Sequence, residues 1–226
     1  MIADISPSFV TRNPGVVEYA QAKTASFNIQ ASFQAIRSAV VTIYANQEIG
    51  SGSLVNREGL VITNYHVVRG VMGGERSRWL SVKTLNGHRY PGRVIRVDHS
   101  HDLALVQLNA WKYFPTLAMA NAASIWLGQP VFAIGSPFGC PGVLTEGTLS
   151  RIRANGDLQS QVVLQPGNSG GPLLNSAGEM IGINRGILQT PSGRNTGISF
   201  ATHVEVIRNF MDCTKAEASY SPTQAC

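Results

Sequence analysis

The sequence predicts an all-β protein built from two units of similar size and closed by a helix. Three observations carry that expectation. Short apolar segments recur between turn residues from Val40 onward. A polar and aromatic passage from Asn109 to about Ser124 interrupts them midway. Beyond Thr202, apolar residues fall at helical spacing, at Val204, Ile207 and Met211.

Residues 1 to about 30 mix polar, proline and small residues without sustained periodicity and read as an N-terminal extension. "ASFQAIRSAVVTIYA" then offers Ser32 as a helix cap, a short helical turn, and a β-branched run from Val40 to Tyr44. The strands of the first unit follow as "GSLV", "GLVITN", "LSVKTL", "RVIRV" and "LALVQL", with Asn86-Gly87 in "LNGH" marking a hairpin. Those of the second are "PVFAIG", "GVLTEGTLSRIRA", "LQSQVVL", "GPLLN", "EMIGINRGIL" and "GISFAT". Thr202 and Glu205 form a T-x-x-E capping box for the closing helix, which is expected to pack on the second unit. The tail from 213 to 226 has few apolar anchors.

With 226 residues, 43% of them hydrophobic and 14% charged, the chain has the composition of a compact folded protein. Its net charge of +5 is modest. Arg69, Arg76, Arg78, Lys83, Arg89, Arg93 and Arg96 lie near one another without interleaved aromatic platforms, so they read as a solvated basic face rather than a nucleic-acid site. No segment is apolar for long enough to span a bilayer as a helix. Asp4 and Pro7 stand where a signal peptide needs a basic start and an unbroken apolar run. Two compartments therefore stay open: the periplasm or the exterior if an export signal has been removed, the cytoplasm if Met1 is the native start. Cys140, Cys213 and Cys226 form no CxxC pair and the histidines do not cluster, so no metal site is expected. Cys213 and Cys226 either close a tail loop or remain separate thiols.

Chemistry concentrates in "QPGNSGGPL", residues 165–173, where Ser169 sits among residues that bend backbone. Read alone, the stretch allows two meanings: a nucleophile whose glycines aim NH groups at a reacting oxygen, or a polar residue in an ordinary turn. A nucleophilic serine needs a base, and the base needs an anion to fix its tautomer. Among His66, His88, His99, His101 and His203, His66 stands out at the end of the apolar strand "GLVITN". The acids between it and Ser169 are Glu75, Asp98, Asp102, Glu146 and Asp157. Asp102 directly precedes "LALVQL", whose strand would hold its backbone still, and Asp98 lies in a turn-like setting just before it.

Three separated segments, "TNYHVV", "HDLALVQL" and "PGNSGGPLLN", resemble the motifs of the HtrA (Deg) branch of trypsin-like serine proteases. "GSGSLV", "AIGSPFG", "GTLSRIR", "GEMIGIN" and "GISFAT" fall in the family's order, so the resemblance covers roughly residues 31 to 210. It implies a chymotrypsin-like fold of two six-stranded antiparallel β-barrels, about 31–112 and 124–202, with a closing helix at about 203–212. It implies Ser169 as nucleophile, His66 as general base and then acid, Asp102 rather than Asp98 as the orienting carboxylate, and the amides of Gly167 and Ser169 as the oxyanion hole. Peptide bonds of polypeptide substrates would be cleaved through an acyl-enzyme, without metal or organic cofactor. The position six before the serine, where an enzyme preferring a basic P1 residue would carry Asp, is Val163. Small or medium aliphatic P1 residues are expected instead, with Val163, Ile183 and Asn184 near the pocket, although each also suits strand core.

Two features depart from the family's pattern: the sequence ends soon after the closing helix, where many relatives carry PDZ domains, and Gln161 stands near a position often acidic. Trimerisation is common in the family through N-terminal segments, and Phe9, Tyr19 and Phe27 suit that role or packing on the domain. Two other readings compete. Gly167 to Gly171 also fit G-x-S-x-G, the turn of α/β-hydrolase esterases, but that fold needs a histidine downstream, where only His203 stands, and alternating helices and parallel strands. A catalytically silent domain that binds unfolded or partner polypeptides is the other.

Overall fold

A computed structural model of the chain describes residues 29–74 and 77–219. Phe9, Tyr19, Phe27, Arg76, Cys226 and the side chain of Cys213 lie outside the described residues. Helix α1 (Ile29–Ser38) begins before Ser32, which therefore stands inside its first turn and not at its cap. Ile36 and Phe33 of this helix pack on the first unit.

The first unit is a closed barrel of six antiparallel strands: β1 (Val40–Ala45), β2 (Glu48–Leu54), β3 (Leu60–Thr63), β4 (Trp79–Lys83), β5 (Arg89–Asp98) and β6 (Leu103–Leu108), arranged β1-β2-β3-β6-β5-β4. The second closes in the same way from β7 (Pro130–Gly135), β8 (Val143–Ile152), β9 (Asp157–Ser160), β10 (Pro172–Leu174), β11 (Met180–Gln189) and β12 (Asn195–His203), in the order β10-β11-β12-β9-β8-β7. Closure removes the exposed edges that open sheets must protect. The hairpin at Asn86-Gly87 joins β4 to β5, with Gly87 at φ +88 and its amide donating to the Thr84 carbonyl at 2.9 Å.

The passage between the units is a strap across both. The Leu117 amide donates to Leu54 O in barrel one at 2.8 Å, and the Ala120 amide to Met180 O in barrel two at 3.0 Å, while Phe114, Leu117 and Ala120 are buried. The apolar interior continues across the junction as well: Ile134, Leu174, Met180 and Ile183 of barrel two join the core of barrel one.

The sequence and the fold differ at two places near the end of each motif. "LQSQVVL" is strand only to Ser160; beyond it the Leu164 carbonyl takes its hydrogen bond from the Asn195 side chain at 2.9 Å instead of a ladder partner. The closing helix α3 runs from Val204 to Ser219, and Thr202 does not cap it. Thr202 is still a strand residue, and its hydroxyl donates to the His101 carbonyl at 3.1 Å. His203 takes the cap: its Nδ1 accepts the Glu205 amide at 3.1 Å. Burial holds the His203 pKa below its ordinary value, partly offset by the charge of Glu205, and this favours the neutral imidazole that an acceptor nitrogen requires. The helix packs on the second unit, against β11 and β12, as expected; Ile207 and Phe210 also join the apolar cluster that runs across the barrel junction, and Arg208 donates to the strap carbonyls of Met119 and Ala120, each at 3.0 Å.

Candidate active site

The histidine comes first. Strand β3 ends at Thr63 and the chain turns at once into a four-residue helix, α2 (Tyr65–Val68), with Val67 and Val68 buried. Gly50 in β2 makes this close fit possible, because a Cβ there would fall 2.5 Å from Val67 Cγ1. His66 is thereby held on a rigid turn with its ring partly exposed, at 32%.

Asp102 lies directly before β6 in a left-handed conformation, φ +55, uncommon for any residue but glycine though better tolerated by Asp and Asn. Four hydrogen bonds from three consecutive residues hold it there. Its carbonyl accepts the Tyr65 amide at 3.1 Å and the Asn64 side-chain amide at 2.8 Å. Its carboxylate takes the His66 amide on Oδ1 at 2.9 Å and meets His66 Nδ1 through Oδ2 at 2.7 Å. Asp98 instead turns to its own histidine, His101, whose Nδ1 lies 2.7 Å from Oδ2. The structure therefore joins His66 to Asp102 and leaves Asp98 in a separate pair.

Ser169 sits in the loop leading to β10, pinned to barrel one by its carbonyl, which accepts the Ser51 amide at 2.8 Å. That carbonyl also lies against Gly50, at 3.2 Å from where a Cβ would stand, so the serine loop and the helix carrying His66 press on the same glycine. Among the described residues no hydrogen bond joins the Ser169 hydroxyl to the His66 ring. Hydrogen bonds of this kind are often long before substrate binds and shorten in the complex.

Within the turn from Gly167 to Gly171, two amides have no internal acceptor among the described residues, those of Gly167 and Ser169. Their direction follows from the neighbouring carbonyls. Pro166 O accepts the Phe138 amide at 2.9 Å, and Asn168 O accepts the Gly171 amide at 3.0 Å. In a trans peptide the N–H points opposite to the C=O, so both free amides face away from these internal partners. Gly167 has φ +102, and a Cβ on it would fall 2.2 Å from Ser136 O, so only glycine fits.

The three residues expected near the specificity pocket have different surroundings. Val163 is 49% exposed, whereas Ile183 is fully enclosed. Asn184 is buried and acts as a clamp on the serine loop: its amide donates to Gly171 O at 2.9 Å, its carbonyl accepts the Gly170 amide at 2.8 Å, and its side chain donates to Pro172 O at 2.9 Å. An irregularity in β11 between Asn184 and Gly186 accompanies this clamp. Sequence reasoning passed over Asn64, Ser51 and Ser136. The two serines of "GSGSLV" are a signal, since Ser51 and Ser53 are buried polar residues in a barrel strand. No group of three or more His, Cys, Asp or Glu among the described residues is placed to hold a metal ion, and no described helix is long and apolar enough to cross a membrane.

Paired six-stranded barrels with a histidine–carboxylate pair beside a glycine-rich serine loop define the chymotrypsin-like class. A family model for the trypsin-like peptidase domain matches residues 50–183. The chain belongs to that family. It is 35% identical over 178 residues to the chloroplastic Protease Do-like 1 of Arabidopsis thaliana, covering 74% of this chain and 39% of the relative. It is 34% identical over 182 residues to a probable periplasmic serine endoprotease, DegP-like, of Halomonas elongata, covering 77% and 37%. It is 35% identical over 173 residues to serine protease HTRA1 of Xenopus laevis, covering 72% and 35%. Its likeness thus lies with the HtrA and Do-like branch, and it spans under two fifths of the length of each of these relatives.

Proposed function

We propose that the protein is a serine endopeptidase that cleaves polypeptides through Ser169, His66 and Asp102. The observation that carries this reading is the grip of Asp102 on both the backbone and the ring of His66, which fixes the imidazole with Nδ1 protonated and leaves Nε2 as the base. In the cycle, the Ser169 hydroxyl attacks the peptide carbonyl as His66 Nε2 takes its proton. The Gly167 and Ser169 amides stabilise the resulting oxyanion. The imidazolium then protonates the leaving amine, and water activated by the same imidazole releases the acyl-enzyme. No step needs a metal or organic cofactor.

An extended peptide suits the surroundings. Strand β10 pairs with β11 only as far as Ile183, so from Gly186 onward one edge of β11 offers backbone groups to an incoming strand. Val163 provides no counter-ion for a cationic P1 side chain, which supports a preference for small or medium aliphatic residues there. Ile183 and Asn184 would act from behind the pocket, shaping it through the serine loop. Incubation with denatured casein tests the reading: the protein is expected to release fragments ending mainly in small or medium aliphatic residues, and Ser169→Ala to release none. Casein bound but left intact by both would favour a silent binding domain.

A further inference from the structure

Ser51 lies in barrel one, yet it bonds to both Gly167 and Ser169, the residues whose amides are free in the turn from Gly167 to Gly171 of barrel two. Strand β2 pairs with β3 only from Ser53 onward, so at Ser51 its edge is open. The Ser51 amide donates to Ser169 O at 2.8 Å, and the Ser51 hydroxyl donates to Gly167 O at 2.6 Å. The same hydroxyl accepts the Ser136 amide at 2.8 Å. Ser51 is fixed in turn, because its carbonyl accepts the Thr63 hydroxyl at 2.6 Å from the strand that leads into the His66 helix. Ser136 is held a second time, its hydroxyl 2.7 Å from that of Thr42. All four side chains are buried, so these bonds work in a low-dielectric seam where an unpaired partner is costly.

From this geometry we infer that Ser51 is a positioning residue for the oxyanion hole: it sets the orientation of the Gly167–Ser169 backbone from across the barrel seam. The inference rests on the reading of Ser169 as nucleophile. Holding the Gly167 carbonyl fixes ψ of that glycine, and holding the Ser169 carbonyl fixes the other end of the segment. Gly167 is the residue with the most freedom to turn away, at φ +102. Without the hydroxyl, the loop loses one of these two restraints and Ser136 loses an acceptor. The amides then converge on the oxyanion only part of the time. Because this oxygen acquires its charge after binding, the loss falls on turnover and not on substrate affinity.

The test compares wild type, Ser51→Ala, Ser51→Cys and Ser53→Ala on a quenched-fluorescence peptide spanning a casein bond that the wild type cleaves. Ser53 is the control, a buried serine of the same strand whose hydroxyl has no partner. Ser51→Ala is expected to lower kcat roughly 10- to 100-fold, a part of the ~10²–10³ lost when a donor is removed outright. KM should stay within about twofold and the pH midpoint of kcat/KM should not move, since the His66–Asp102 pair is untouched. Ser53→Ala should match wild type. Ser51→Cys keeps the approximate size with a weaker donor, and should be slow at a melting temperature near that of wild type; it carries the test if Ser51→Ala does not fold. A kcat equal to wild type in whichever Ser51 variant folds, an equal loss in Ser53→Ala, or a shifted pH midpoint would overturn the inference. A wild type that neither cleaves nor reacts with a fluorophosphonate overturns instead the assignment of Ser169 beneath it.

Discussion

Replacing Asp102 by Asn exchanges one carboxylate oxygen for an NH2, and the surrounding hydrogen bonds decide which one. The His66 backbone amide, 2.9 Å from Oδ1, is a donor only, so it requires an oxygen there. The new NH2 must then occupy the Oδ2 position, 2.7 Å from His66 Nδ1. It donates to Nδ1, which drives the imidazole proton to Nε2, the nitrogen needed to accept the Ser169 proton. The protein should fold as before, because Asn also tolerates the left-handed backbone at φ +55 and the carbonyl bonds to Asn64 and Tyr65 are unchanged. A wrong tautomer in such a triad lowers kcat by roughly 10⁴, equivalent to about 5.4 kcal/mol at ~1.36 kcal/mol per decade. Initial rates on a quenched peptide at neutral pH, with circular dichroism to check the fold, measure it. Asp102→Asn at the wild-type rate, or Asp98→Asn slower than Asp102→Asn, would refute the reasoning.

Two further substitutions probe neighbouring parts of the site. Gly167→Ala places a Cβ 2.2 Å from Ser136 O and 3.0 Å from Phe138 N, so the loop must shift. Loss of the amide's aim should cost about 2.7–4 kcal/mol in transition-state stabilisation, read as a fall in kcat with cleavage of the same bonds. Asp98→Asn should leave activity intact but change the pH dependence of stability. Burial pushes the Asp98 carboxyl up, yet hydrogen bonds from the His101 side chain and backbone and from the Ser100 amide, with the charge of His101, bring it below 3.8. A depressed carboxylate contributes stability above its unfolded pKa and loses it as pH falls through the folded one. The gap in melting temperature between wild type and Asp98→Asn should therefore narrow as pH drops below about 3.8.

Patterns tied to period and turn chemistry were legible in the sequence: alternating apolar runs became barrel strands, and Asn86-Gly87 became a hairpin. What required three dimensions were contacts between residues far apart in the chain. Thr202 reads as a cap by spacing, but the carbonyl of His101 claims its hydroxyl, and His203 caps instead. The closing helix packs on β11 and β12, as its place after the second unit suggests, but that Ile207 and Phe210 also join the apolar cluster shared by both barrels is a contact the sequence does not show. The choice between Asp98 and Asp102 rested on resemblance, because two acids so close together cannot be ranked by spacing. In the structure each takes a different histidine. Ser51 was hidden for the same reason: its partners at Ser136, Gly167 and Ser169 belong to another barrel.

Covalent labelling tests the central claim most directly. Wild type, His66→Ala and Ser169→Ala are treated with a fluorophosphonate, and the modified peptide is located by mass spectrometry. Active-site chemistry at Ser169 predicts a single adduct on that residue, greatly slowed without His66 and absent without Ser169. An adduct on another residue, or the same labelling in all three proteins, would contradict it.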